Sequence, residues 1–142
     1  MAITQAVANS FKTEVLTGTH NFTATTGNSF KISLYTNSAT LSKSTTAYTS
    51  TAEVSGTGYT ATGNTLTSVT PALSTDTAVC DFADTSWTSA TITARGALIY
   101  NDTQSDKAVL VLDFGGDKTS TAGTFTIQFP AADASNAILR LA

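Results

Sequence analysis

The apolar positions of this chain change period after its first twenty residues. Val7, Phe11 and Val15 recur every four positions with Leu16 beside them, and Gly18 follows as a stop. Lys12 and Glu14 fall off that stripe. The spacing predicts a short amphipathic helix over residues 5–17. A helix of that length is marginal alone, so its stripe must dock on the chain's own sheet or on a neighbouring subunit.

From Phe30 the period is two. Phe30, Ile32 and Leu34 alternate with Lys31, Ser33 and Tyr35, which reads as a half-buried strand. Residues 36–64 form a long polar stretch with Tyr48, Val54 and Tyr59 as its only large anchors. Loops of that length inside compact domains are usually functional or partly ordered by partners. Leu66 and Val69 mark the next strand, ended by a turn at Pro71, and TAVCDFA marks another through Val79 and Asp81. Trp87 leads into a run carrying Ile92, Ala94, Leu98 and Tyr100, either one long strand or a strand broken at Gly96, where a bulge would bend the strand without breaking the sheet. Ala108 to Leu112 is continuously apolar, as a strand covered on both faces requires. GGDKTSTAGT reads as a turn cluster, Phe125, Ile127 and Phe129 as one face of a strand ending at Pro130, and AILRLA as the last strand, with Ile138 or Leu139 inward.

Seven or eight short strands without helical alternation predict an all-β, two-sheet antiparallel sandwich with a short N-terminal helix. A jelly-roll arrangement is favoured over an immunoglobulin-like one. No linker or internal repeat divides the 142 residues, so residues 1–142 are expected to form one domain. Composition agrees: 30 Thr and 15 Ser supply small hydroxyls, and β-branched Thr suits a pleated, half-exposed surface.

Charged residues make up only 12% and net charge is −3, so the surface field is weak. Seven scattered Lys and Arg do not suit a nucleic-acid groove. No apolar run approaches the roughly 18 residues of a membrane span, and MAITQAVANSF lacks the basic and apolar regions of a signal peptide. No nucleic-acid or membrane partner is expected.

Candidate chemistry is sparse. His20, the single histidine, needs a nucleophile or carboxylate partner to act as a base. Otherwise it closes the first helix by satisfying free carbonyls. Cys80 stands alone beside Asp81 and Asp84, which raise a thiol's pKa and favour a core role. The pairs Asp81/Asp84, Asp102/Asp106 and Asp113/Asp117 lack the density of a calcium loop and read as turn caps. The DFG letters at 113–115 and the GTG at 56–58 lack the rest of a kinase or phosphate-loop pattern. The Asn21 and Asn101 N-x-T matches carry weight only in a secreted eukaryotic protein. Tyr48, Tyr59, Tyr100 and Trp87 form either a sugar-stacking platform or core and strand-end seals. No catalytic residue, cofactor or metal is expected.

Several segments carry a resemblance running through almost the whole chain: SFKTEVLTGTHNF, SFKISLYTNSATL, EVSGTGY at 53–59, ARGALIY at 94–100 and LDFGGDKTSTAGTFTIQFP. Together they resemble small virion proteins of tailed bacteriophages, the best understood of which are jelly-roll capsid decoration, or cement, proteins. The resemblance implies a non-enzymatic protein, made in the host cytoplasm and placed on the capsid exterior. There it would act as a dimer or trimer, bridging neighbouring major capsid subunits. It brings no catalytic residues. The contact residues expected on this reading are Val7, Phe11 and Val15 in the N-terminal segment and Tyr48, Glu53 and Tyr59 in the long loop. The alternatives are a tail- or fibre-associated module binding receptor or glycan, with Trp87 exposed, and a small hydrolase built on His20.

Overall fold

A computed structural model describes residues 2–142. Its elements are β1 (Ala6–Val7), α1 (Asn9–Leu16), β2 (Phe30–Tyr35), β3 (Asn64–Thr65), β4 (Ser68–Ser74), β5 (Thr77–Phe82), β6 (Thr85–Asn101), β7 (Lys107–Ile127) and β8 (Leu139–Leu141). They form a five-stranded sheet in the order β1-β7-β6-β2-β3 and a three-stranded sheet in the order β4-β5-β8. All of these strand pairings are antiparallel. The two-sheet antiparallel architecture with one short helix is therefore as the periodicities imply. Hairpin partners β4–β5 and β6–β7 stay side by side in a five-and-three division.

The core lies where β2, β6 and β7 run together. Gly96–Asn101 and Ala108–Val111 are buried throughout, as the apolar run from Ala108 requires. Phe82 of the smaller sheet reaches this core, 5.9 Å from the Phe30 ring and 6.2 Å from Phe22.

β2 departs from the half-buried strand expected of it. Ser33 and Tyr35 are buried along with Ile32 and Leu34, because residues 36–64 cover the second face. Val54 N–H donates to the Leu34 carbonyl, the Leu34 N–H to the Tyr59 hydroxyl, and the Tyr35 hydroxyl to the Thr49 carbonyl. The long polar stretch is thus a cover held to the sheet by hydrogen bonds.

Several boundaries differ from the sequence reading, among them the end of β7 at Ile127 instead of Pro130. The helix spans eight residues instead of 5–17, because Ala6 and Val7 pair with Val111 and Leu110 and the Ala8 N–H donates to the Val109 carbonyl. Strand pairing captures that backbone before the helix begins. Pro71 lies within β4 and not in a turn. β4 is an edge strand with a register shift between Val69 and Ala72, where a missing N–H costs no ladder bond.

The expected GGDKTSTAGT turn is part of β7. Its threonines extend the strand without any apolar alternation, and cross-strand hydroxyl pairs join Ser86 to Thr126 at 2.9 Å and Thr93 to Thr119 at 3.2 Å. Irregularity does occur beside Gly96, but the extra residues lie in β7: Ala94 pairs with Lys118 and Gly96 with Asp113. Gly96 serves close approach. A Cβ there would lie 2.5 Å from the Leu112 carbonyl oxygen and 2.9 Å from the Ile3 side chain.

Candidate interaction surface

The six contact residues expected from sequence separate into two places. Tyr48, Glu53 and Tyr59 come together inside the cover. The Tyr48 hydroxyl donates to Glu53 Oε2 at 2.6 Å, and the Tyr59 hydroxyl to Oε1 at 2.6 Å. The Thr62 N–H adds a third bond to Oε1 at 2.8 Å. One carboxylate thus ties three points of residues 36–64, and the Tyr100 hydroxyl adds a bond to the Thr62 carbonyl at 2.6 Å. The polar ends of these side chains are engaged within the chain.

Burial pushes all four phenols above the ordinary tyrosine value. Tyr35 rises to about 12, and hydrogen bonds to the Glu53 carboxylate drive Tyr48 and Tyr59 further in the same direction. Trp87 is 4% exposed, 5.9 Å from the Tyr59 ring and 6.1 Å from Phe125.

His20 does not cap the helix as expected. N–H groups of Thr17, Gly18 and Thr19 return to the Thr13, Glu14 and Val15 carbonyls, and Gly18 adopts φ +79°. His20 turns inward instead. Its Nε2 lies 3.0 Å from Glu14 Oε1 and its Nδ1 3.0 Å from Asn101 Nδ2, with no side-chain surface exposed. The Asn101 amide also donates to Asn28 Oδ1, and Lys107 Nζ lies 3.5 Å from the second Glu14 oxygen. Phe11 packs on the ring at 4.8 Å. Since an amide N–H faces Nδ1, the geometry sets Nε2 as the donor to Glu14. The cluster locks α1 to the hairpin end.

The acidic residues have local tasks. Asp133 accepts from Ser135 and Asn136, Asp84 from the Phe129 N–H, and Asp113 from the Gly115 N–H. Asp81 is buried, accepts from the Phe82 N–H, and has its carboxyl pushed up by burial. Burial, followed by Asp81, raises the Cys80 thiol to about 12. Among the described residues no three His, Cys, Asp or Glu side chains gather as a metal site.

Val7, Phe11 and Val15 meet elsewhere, in one groove. They line a cavity of about 380 Å³ between α1 and β8 together with Lys12, Leu16, Ala78, Leu139, Arg140 and Leu141. Phe11 points to the core, while Leu16 is 83% and Leu141 65% exposed. Across the smaller sheet Leu73 is paired with Ala78 and Ala78 with Leu141, so the three share one face. Leu73 is 75% exposed. The apolar surface therefore runs from the helix through the groove and over the sheet. Sequence reasoning found its helical half from the four-residue repeat. It missed Leu73, Leu139 and Leu141, because Ile138-Leu139-Arg140-Leu141 offers no clear alternation to say which side faces out.

Comparison with known families, curated proteins and solved structures finds no match to this chain.

Proposed function

We propose that this chain is a non-enzymatic virion protein of a tailed bacteriophage. On this reading it binds the outside of the head as a decoration protein and bridges neighbouring major capsid subunits. The observation that carries the binding role is one apolar groove lined by the exposed Leu16 and Leu141, continued by the exposed Leu73 on the same face of the smaller sheet. Contiguous apolar surface on a chain rich in small hydroxyls marks an interaction site. The placement on a phage head rests on the resemblance of the sequence.

A weakly charged, hydroxyl-rich exterior supports close apposition to a protein lattice, since few charges lose water on contact. Affinity then comes from modest contacts repeated many times. The glycan-binding alternative called for an exposed Trp87, and that ring is buried. The hydrolase alternative called for His20 in a concave pocket beside a nucleophile, and its ring exposes no surface.

The test is cryo-electron microscopy of intact particles, locating the chain and counting its copies. Hundreds of copies on the capsid lattice with the groove face inward are expected. A handful at the tail overturns the decoration role.

A further inference from the structure

We infer that the groove takes an extended segment of a partner protein, carrying alternating apolar side chains and carboxylates, which adds as a strand to the outer edge of β8. This rests on the reading that the groove is a docking surface, and names what occupies it.

The backbone argues for an extended occupant. β8 ends the smaller sheet, so among the described residues one side of Leu139–Leu141 has no strand partner. The opposite edge of the same sheet, β4, is blunted by Pro71 and a register shift, two devices that discourage strand addition. β8 has neither. Its one charged side chain, Arg140, folds back to donate to the carbonyls of Ser135 at 2.9 Å and Ala134 at 3.3 Å. Val7 of β1, the outermost strand of the larger sheet, lines the same groove. An added strand would take main-chain bonds from β8 and set alternate side chains against Val7, Val15, Leu16 and Leu141.

Charge argues for an acidic occupant. Lys12 and Arg140 both line the groove, and among the described residues no acidic side chain does. Among the described residues neither cation has a carboxylate within 4 Å. Lys12 donates to Asn9 Oδ1, and Arg140 acts on Asp133 only from beyond ion-pair distance. A second copy docking two-fold on this groove would bring cations against cations, so a partner with carboxylates fits better.

The experiment uses the isotopically labelled full chain and a synthetic peptide of alternating Val and Glu, read by amide NMR and hydrogen exchange. Binding is expected to shift the Val7 and Leu139–Leu141 amides and slow exchange at β8. Replacing Glu by Lys in the peptide should weaken binding roughly tenfold, as should Lys12→Glu in the protein. Equal affinity for the Lys peptide, no binding, or shifts confined to α1 without slowed exchange at β8 overturns the inference. Concentration-dependent self-association abolished by Leu141→Asp also overturns it, in favour of a second copy. Peptide binding by a chain found at the tail would defeat the decoration role alone, whereas capsid-bound copies with an empty groove would defeat this inference alone.

Discussion

Glu53 accepts three hydrogen bonds of 2.8 Å or less, so its loss strands three donors at once. Glu53→Ala is expected to cost about 3 kcal/mol, read as a lower urea midpoint. Glu53→Gln, which keeps the Oε1 acceptor, should cost less. Equal losses in both would show that the carboxylate charge, and not the acceptor, carries the cluster. The phenols make a second, pH-dependent case. Their folded pKa values lie above the unfolded value near 10. A group raised in this way contributes stability that is complete below the unfolded pKa and is lost as pH climbs through the folded one. Stability should therefore hold up to about pH 10 and fall beyond it. Tyrosinate absorbance should appear together with the loss of circular dichroism; phenols ionising near pH 10 in a still-folded chain would contradict this.

At the scale of elements, the N-terminal segment has two separable jobs. Ile3, Ala8 and Phe11 belong to the core and β1 pairs with the edge of β7, so deleting residues 1–17 removes fold as well as contact surface. Such a deletion therefore cannot separate the two jobs. Point changes divide the two jobs. Phe11→Ala is expected to lose about 3 kcal/mol or more through the cavity it leaves. Leu16→Asp, at an 83% exposed position, should change stability by less than about 0.5 kcal/mol while weakening particle binding. Thermal unfolding checks both, and a marked drop for Leu16→Asp would mean that Leu16 is packed, not presented. The same logic covers the smaller sheet. β4 is exposed along almost its full length, whereas β2 is almost wholly buried. Hydrogen exchange should accordingly be far faster through β4 than through β2, and similar protection in both would show the sheets opening only as one unit.

For the whole molecule, legibility followed burial. The β2, β6 and β7 core was readable because Ile32, Leu34, Leu98 and the run from Ala108 are apolar where the sheet is covered on both faces. The continuity of β7 through residues 115–124 was not, since its threonines stabilise a strand through β-branching and a cross-strand hydroxyl pair without any hydrophobic period. The pairing inside the cover was not legible for a related reason: Tyr48, Glu53 and Tyr59 look like loop-borne anchors, and only the fold turns them toward one another. The helical stripe was legible, but its groove needed β8, which lies over 120 residues away in sequence. Trp87 supplies one further consequence. It is the only tryptophan, and it sits where the cover, through Tyr59, meets the far end of the hairpin, through Phe125. The chain therefore contains its own fluorescent gauge at that junction. Blue emission reports cover and hairpin in contact, and a red shift reports them parting, with no label added.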